Sequence, residues 1–94
     1  MGIIRLSGHI DVPLDRLAEV QTALPDHIRL TLAEPGCQHF DVTPDPLIAG
    51  RFNVTEAFAT RADFDAHQTR TQASDWARIA SNIPRDYKIE ETPA

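Results

Sequence analysis

The chain has 94 residues, with 9 Lys and Arg against 14 Asp and Glu, a formal net charge of −5 and 41% hydrophobic residues. This length allows one small domain, and such domains often need association to complete their core; we expect residues 1–94 to form one domain and a homodimer. The negative charge disfavours binding to nucleic acid or anionic membranes. No apolar run reaches the roughly 20 residues of a membrane span, and no export signal is visible, which predicts a cytoplasmic protein.

The N-terminal third of the chain predicts a strand followed by a helical region. Residues 3–12 alternate apolar and polar side chains, as in a half-buried strand. Apolar residues then recur at helical spacing as far as Leu32. Because Pro25 removes a backbone hydrogen bond inside this region, we expect either one kinked helix or two segments, 13–23 and 25–33.

The middle of the chain predicts two strands joined by a projecting loop. Residues 37–43 form the first, with Phe40 on one face and Cys37 and His39 on the other. The linking segment, TPDPLIAG, is dense in turn formers. The next strand, RFNVTEAFA, alternates clearly, and one of its faces carries Phe52, Val54, Glu56 and Phe58.

The last third predicts two short helices and a strand. Thr60 to Asp63 matches a capping box, which begins a helix with His67 on its sheet-facing side. Ser74 begins a second helix, residues 85–91 form the final strand, and residues 92–94 are expected to be a disordered tail. The order is βαββαβ, which predicts an α+β, ferredoxin-like fold with a four-stranded antiparallel sheet and helices on one face. A dimer would cover the other face.

The stretch EPGCQHFDV raises the question of a metal or redox site, because it places Cys37 near His39. Tetrahedral zinc needs four ligands, and the sequence offers no second Cys-His pair. A nucleophilic cysteine needs a cationic or helix-N-terminal environment, whereas Cys37 follows a helix end. We therefore expect no metal site here, and expect His39 to pack at an interface.

Three motifs resemble the antibiotic biosynthesis monooxygenase family. They are EPGC before a strand, the RFxVxExF pattern of residues 51–58, and ADFDAH at residues 62–67, and the similarity runs over residues 3–91. The resemblance implies a dimeric α+β barrel similar to quinol monooxygenases. The family also contains isomerases and a haem-degrading branch that relies on an asparagine in strand one. This chain has Ser7 and His9 there, which disfavours haem.

Glu56 and His67 are the candidate catalytic residues. Glu56 points to the helix-packed side between apolar neighbours, where burial raises a carboxyl pKa. It either orients a histidine or holds a proton in a closed pocket. The structural alternative is that it accepts hydrogen bonds from a helix or pairs with an arginine such as Arg70 or Arg85. His67 has a side chain that titrates near neutral pH and suits proton abstraction. Its alternative role is a core-edge histidine that donates to Glu56 or to a carbonyl.

The resulting hypothesis is a cofactor-independent monooxygenase of a small aromatic, quinol- or phenol-like substrate, with His67 as the base oriented by Glu56. Two alternatives remain open, an isomerase of the same fold and a non-catalytic dimeric module that binds a small ligand. An RNA-binding role is disfavoured, since strand one has no aromatic residue and the charge is negative. The candidate substrate-binding residues are Phe40, Phe52, Phe58, Phe64, Arg70, Trp76, Arg85 and Tyr87.

Overall fold

The computed structural model describes residues 2–93, and Met1 and Ala94 lie outside the described residues. Within these bounds four strands and three helices follow the predicted order, with a short 3-10 turn at Leu14–Arg16. The elements are β1 (Ile4–Asp11), α1 (Leu17–Leu32), β2 (Cys37–Pro44), β3 (Arg51–Phe58), α2 (Arg61–Gln72), α3 (Asp75–Ile79) and β4 (Arg85–Glu91).

The strands form one antiparallel sheet in the order β2-β3-β1-β4. This confirms the predicted ferredoxin-like βαββαβ fold. The core lies between one sheet face and the helices, as the alternating patterns predict. On this face the inward residues of β1 and β3 lie beside one another. Leu6 pairs with Glu56 on one side and with Ile89 on the other. The buried apolar residues form one cluster that includes Ile4, Leu6, Phe52, Val54 and Phe58.

The helical region forms one α-helix from Leu17, with Pro25 inside it. Of the two alternatives, the single helix is the one observed. Pro25 is exposed, so the carbonyl that loses its hydrogen bond lies on the solvent side of α1. The buried face of α1 consists of Val20, Leu24, His27 and Thr31. Leu32, which the apolar pattern includes, is instead 52% exposed, because it lies off this stripe.

Strand β2 corrects the face assigned to Cys37. Its register shifts between Cys37 and His39, so that Cys37 pairs with Phe58 while His39 pairs with Ala57. An extra residue in one strand moves every earlier side chain to the opposite face. Cys37 therefore packs against the core. His39 is exposed, and its Nε2 lies 2.8 Å from the Thr55 hydroxyl.

The predicted cap at the start of α2 is present in modified form. The backbone N–H of Asp63 donates to the Thr60 hydroxyl at 3.1 Å. The Asp63 carboxylate accepts from the same hydroxyl at 2.9 Å, rather than from the Thr60 backbone. At Ser74 the predicted cap position is correct, since α3 begins at Asp75, but the Ser74 hydroxyl donates to the Thr71 carbonyl at 2.6 Å.

The ends of the chain pair beside β1. The N–H of Thr92 donates to the Ile3 carbonyl at 2.9 Å, one residue beyond β4. The predicted disordered tail at residues 92–94 stays a prediction, and its last residue lies outside the described residues. Across residues 2–93, no helix combines the length and apolar character needed to cross a membrane.

Candidate functional site

Glu56 is a buried carboxyl in the centre of the sheet. Its side chain is 8% exposed and Oε1 has no hydrogen-bond partner among residues 2–93. Burial raises its pKa from 4.5 to about 7, and the negative charge of Glu34 adds to this increase. The two arginines considered as partners lie elsewhere, because Arg70 binds Glu34 and Arg85 is exposed beside the Tyr87 ring. Near neutral pH the Glu56 carboxyl therefore carries a proton for a large part of the time.

His67 is buried on the inner face of α2, with 3% exposure. Its Nδ1 lies 2.9 Å from Glu34 Oε1 and 3.2 Å from Oε2. Because a carboxylate only accepts hydrogen bonds, this contact places the imidazole proton on Nδ1. On the other edge of the ring, Nε2 lies 3.9 Å from Glu56 Oε1 and 3.5 Å from the Thr71 hydroxyl. The lone pair of Nε2 therefore faces the buried side of the site.

Burial, Glu34 and Arg70 together set the pKa of His67. Burial lowers its pKa, while the Glu34 carboxylate and its hydrogen bond oppose this effect, and the Arg70 cation adds to the lowering. The pKa of His67 stays below its ordinary value of 6.5. The imidazole is neutral at neutral pH, which leaves Nε2 able to accept a proton.

Glu34 is held by two side chains, His67 and Arg70, and Thr31 in turn holds Arg70. The Arg70 guanidinium donates from Nε to Oε2 of Glu34, and its other nitrogen Nη2 donates to the Thr31 hydroxyl at 3.0 Å. Thr31 is fully buried and donates to the His27 carbonyl one turn earlier. The cation, the hydroxyl and the imidazole thus tie the C-terminal end of α1 to α2.

Gly36 fixes the turn that carries Glu34. It has φ +86°, a conformation that L side chains rarely adopt, and a Cβ there would lie 2.3 Å from the Asp63 carboxylate. The N–H of Ala59 also donates to the Gly36 carbonyl at 2.8 Å. The turn therefore sits directly on the start of α2, which sets the distance between Glu34 and His67.

Aromatic rings surround His67. The ring centroid of Phe58 lies 4.9 Å from that of His67, and the Phe40 centroid lies 5.8 Å away. Phe64 extends this shell, since its ring meets Phe58 edge to face at 5.8 Å. These rings exclude water from the Nε2 side of the imidazole, which strengthens electrostatic interactions there.

Trp76 reaches the site through His27. The two rings stack with centroids 4.6 Å apart and an angle of 9° between their planes. His27 also lies 6.3 Å from His67, and its Nδ1 is buried without a hydrogen-bond partner among residues 2–93. Burial lowers the pKa of His27 to about 4, with the His67 and Arg70 charges adding to the effect. His27 is thus a buried residue whose imidazole is neutral at neutral pH.

Three candidate substrate-binding residues lie away from this cluster. Phe52 and Arg85 flank Ile10 on its two neighbouring strands, at the end of the sheet remote from His67. Phe52 and Glu56 are four positions apart along β3, a distance of about 13 Å. Tyr87 lies between these ends, half-buried on the edge strand opposite Gly8. Burial raises the pKa of Tyr87. A ligand at His67 would therefore not meet Phe52 or Arg85 in this arrangement.

Two depressions border the site. One, of about 230 Å³, opens on the Nδ1 side of His67 and is lined by Glu34, Pro35, Asp63, Ala66, His67 and Arg70. It is somewhat smaller than the roughly 300 Å³ at which ligand pockets usually begin. The other, of about 470 Å³, lies on the helix-free face of the sheet and is lined by Arg5, Leu6, Ser7, His39, Thr55, Glu56 and Glu90. Among residues 2–93, no group of three or more His, Cys, Asp or Glu side chains is placed to hold a metal ion.

Sequence reasoning missed Glu34, Thr31 and the burial of His27. One signal for Glu34 was present. Arg70 follows His67 by three residues, so a cation and an imidazole share one face of α2, and a buried cation requires a carboxylate partner. What the sequence could not provide is the position of the turn, which depends on the contact of Gly36 with Asp63.

Comparisons with known proteins agree with this architecture. A protein-family model described as antibiotic biosynthesis monooxygenase matches residues 3–79. Among curated proteins, no sequence matches the chain. A solved structure from Nitrosomonas europaea, named "Putative antibiotic biosynthesis monooxygenase", is 23% identical with a TM-score of 0.84, over 98% of this chain and 92% of that one.

Two further solved structures share the fold. One is a conserved protein of unknown function from Bacteroides thetaiotaomicron, described as a possible oxidoreductase, with 19% identity and a TM-score of 0.78 over 97% of this chain and 96% of that one. The other is a conserved protein from Methanosarcina mazei, with 19% identity and a TM-score of 0.77 over 99% and 95% of the two chains. At these identities the likeness establishes the fold.

Proposed function

Because the chain belongs to the antibiotic biosynthesis monooxygenase family, we propose that it is a cofactor-independent monooxygenase of a small aromatic, quinol- or phenol-like substrate. The observation that carries this proposal is the environment of His67 Nε2. This nitrogen has a free lone pair, because Nδ1 donates to Glu34, and it faces Glu56 inside a shell of aromatic rings. A neutral, water-shielded imidazole is suited to remove the proton of a phenolic hydroxyl.

The proposed reaction begins when His67 Nε2 takes the hydroxyl proton, which leaves an electron-rich phenolate and an imidazolium. The phenolate gives electrons to O₂, a carbon–oxygen bond forms, and the resulting peroxide takes up the proton of the imidazolium. The hydroperoxide then eliminates water, with loss of the hydrogen on the attacked carbon, and leaves a carbonyl there. One oxygen atom enters the product and the other leaves as water. The substrate supplies all the electrons.

Glu56 has a defined part in this proposal. It lies on the Nε2 side of the ring, 3.9 Å from that nitrogen, with Oε1 free of hydrogen-bond partners among residues 2–93. An oxygen atom that contacts both groups would complete the hydrogen bonds of each. The carboxyl thus orients the basic edge of the imidazole toward the substrate and, when protonated, donates to the phenolate oxygen as its charge develops.

The aromatic shell assigns the rest of the binding site. In the proposal Phe40, Phe58 and Phe64 contact the substrate ring, and Trp76 supports them through its stack on His27. Arg70 acts through Glu34. Phe52, Arg85 and Tyr87 do not contact a small substrate at His67 in this proposal, because Phe52 and Arg85 lie beside Ile10 and Tyr87 lies on the edge strand opposite Gly8.

The functional unit in this proposal is a homodimer. The helix-free face of the sheet is polar and carries Arg5, Ser7, His39 and Thr55 around a depression of about 470 Å³. A second copy of the chain is the partner proposed to cover this face, because a domain of 94 residues buries only part of its surface alone.

A non-catalytic module that binds a small ligand is the second candidate. It is favoured by the tight packing around His67, where Phe58 is fully buried, and by the small pocket at Glu34. In that case Glu34, His67 and Arg70 would form only a satisfied polar cluster in the core.

Oxygen uptake with a panel of quinols and phenols tests the proposal, using purified metal-free protein. His67→Asn is the decisive variant, because the Asn amide still donates toward Glu34 while the basic nitrogen is lost. We expect uptake by the wild type and by the control His9→Asn, and a loss of at least about 100-fold in His67→Asn. Product formation without oxygen uptake would indicate the isomerase instead. Equal uptake by His67→Asn would reject His67 as the base.

A further inference from the structure

We propose that Glu34 is a positioning residue for His67, which fixes the imidazole proton on Nδ1, keeps Nε2 as the basic nitrogen, and stabilises the imidazolium formed during turnover. This inference rests on the proposed function for its catalytic consequence. The position of the imidazole proton is a property of the folded protein and is measurable without a substrate.

The geometry of the carboxylate carries the inference. Both Glu34 oxygens lie within 3.2 Å of Nδ1, and Oε2 also accepts from Arg70. Glu56, by contrast, lies beyond hydrogen-bond distance from Nε2, at 3.9 Å. Glu34 is therefore the stronger partner and decides which ring nitrogen bears the proton.

Charge balance within the cluster points the same way. Glu34 has a cationic partner in Arg70, whereas Glu56 has none among the described residues and is buried. The cluster is electrically neutral when Glu34 is ionised, His67 is neutral and Glu56 is protonated. If His67 carried its proton on Nε2 instead, Nδ1 would present a lone pair to a carboxylate at 2.9 Å, which is repulsive.

The groups that surround His67 come from every element packed against it. The titratable and charged side chains close to its ring are His27 from α1, Glu34 from the following turn, Glu56 from β3 and Arg70 from α2. Among these, Glu34 is the group that hydrogen-bonds to the imidazole ring. A change at Glu34 should therefore alter His67 and Arg70 directly, while its effects on His27 and Glu56 are electrostatic and act over a longer distance.

Two substitutions separate the acceptor from the charge. Glu34→Gln keeps a carbonyl oxygen that accepts from Nδ1–H, but it removes the negative charge. Glu34→Ala removes both, which leaves Nδ1 without this acceptor and allows the proton to move to Nε2, the ring nitrogen that faces Glu56. Glu19→Gln is the matched control, since Glu19 is an exposed carboxylate on α1.

The test is nitrogen-15 NMR of the histidine side chains across a pH titration. We expect Nδ1–H in the wild type, in Glu34→Gln and in Glu19→Gln, and Nε2–H in Glu34→Ala. We also expect the His67 titration to move to lower pH in Glu34→Gln, because the charge that stabilises the imidazolium is gone. In turnover, the acid limb of the kcat/KM profile should shift the same way, and kcat should fall at least about tenfold with KM little changed.

An Nε2–H tautomer in the wild type would overturn the inference. So would an unchanged His67 titration in Glu34→Gln, a measurement that stands even if Glu34→Ala fails to fold. If the tautomers are as expected but no substrate consumes oxygen, the proposed function fails while the role of Glu34 in positioning His67 holds. If oxygen is consumed and the His67 tautomer does not depend on Glu34, the reverse is true.

Discussion

His67 Nδ1 donates to Glu34 Oε1 at 2.9 Å, across the junction between α2 and the turn that follows α1. The two residues are 33 positions apart in the chain, so this contact exists only in the folded protein. This contact makes the orientation of the imidazole depend on the turn, and it gives the two ring nitrogens different surroundings. One edge meets a paired carboxylate, and the other faces a buried carboxyl that has no hydrogen-bond partner among residues 2–93.

The turn itself offers the first prediction. Gly36→Ala places a Cβ 2.3 Å from the Asp63 carboxylate at a positive φ, so either the turn or the start of α2 must move. We expect the free energy of unfolding to fall by about 2 kcal/mol, measured by urea denaturation. The His67 imidazole resonances should also change, because Glu34 moves with the turn. Unchanged stability together with unchanged resonances would show that the turn does not position Glu34.

Glu56 should give the protein a stability that decreases as the pH rises. Its folded pKa, about 7, lies above the unfolded value of 4.5, so the folded protein keeps a proton that the unfolded chain has released. This stabilising contribution is full below pH 4.5 and is lost as the pH rises through 7. Glu56→Gln removes this pH dependence. From acid pH to about pH 8, we expect the free energy of unfolding of the wild type to fall by about 3 kcal/mol more than that of the variant.

Chemical denaturation at a series of pH values measures this effect. The matched control is Glu19→Gln, an exposed carboxylate on α1, which should follow the wild-type curve. A Glu56→Gln curve parallel to that of the wild type would mean that Glu56 is ionised in the folded protein at neutral pH.

His27 should produce the opposite dependence. Its folded pKa, about 4, lies below the unfolded value of 6.5, so the unfolded chain binds a proton that the folded protein excludes. The stability that it contributes is present above pH 6.5 and is lost as the pH falls toward 4. His27→Phe keeps a ring stacked on Trp76 and removes the titration. As the pH falls through this window, we expect the free energy of unfolding of the variant to decrease by up to about 3 kcal/mol less than that of the wild type.

Acid unfolding followed by circular dichroism is the measurement for His27→Phe. Its midpoint should move to lower pH, whereas His9→Asn, at a half-buried histidine on β1, should leave the midpoint in place. An unchanged midpoint in His27→Phe would show that His27 is protonated, and therefore solvated, in the folded protein.

The proposed dimer gives a prediction about the helix-free face. Thr55 lies on this face beside His39, at the edge of the larger depression. Thr55→Lys adds a long charged side chain there, and we expect it to shift the protein from dimer to monomer in sedimentation velocity. Thr22→Lys, on the exposed side of α1, should remain dimeric. A wild type that sediments as a monomer, or a dimer indifferent to Thr55→Lys, would contradict the proposed interface.

Much of the fold follows from local patterns, and its exceptions have physical causes. Alternation located all four strands, and the inward faces of β1, β2 and β3 carry buried residues, whereas on β4 Tyr87 is half-buried and Ile89 is 48% exposed. Pro25 illustrates an ambiguity that tertiary packing resolves. A proline favours a helix break, but burial of Leu24 and His27 on either side of it keeps one helix intact. The bulge after Cys37 is invisible in the sequence, since alternation carries no signal for one extra residue in a strand.

The candidate site was predictable in part. The alternation of β3 and the helical spacing of α2 indicate that Glu56 and His67 face the same core, and the structure brings them to within 3.9 Å. Their catalytic roles stay predictions. The partner of Nδ1 was not predictable in this way, because Glu34 lies in a turn whose direction depends on Gly36 and Asp63. Similarly, the sequence does not reveal the strand register that places Phe52 and Arg85 beside Ile10, away from His67.

Isotope labelling of the reaction with ¹⁸O₂ is the most direct test of the account as a whole. The wild-type protein, free of metal and cofactor, is mixed with a quinol that it consumes, and product and water are analysed by mass spectrometry. Direct attack of O₂ on the deprotonated ring predicts one labelled oxygen atom in each product molecule and one in water, with the labelling abolished in His67→Asn. Product that carries no label, or labelled product formed equally well by His67→Asn, would contradict it.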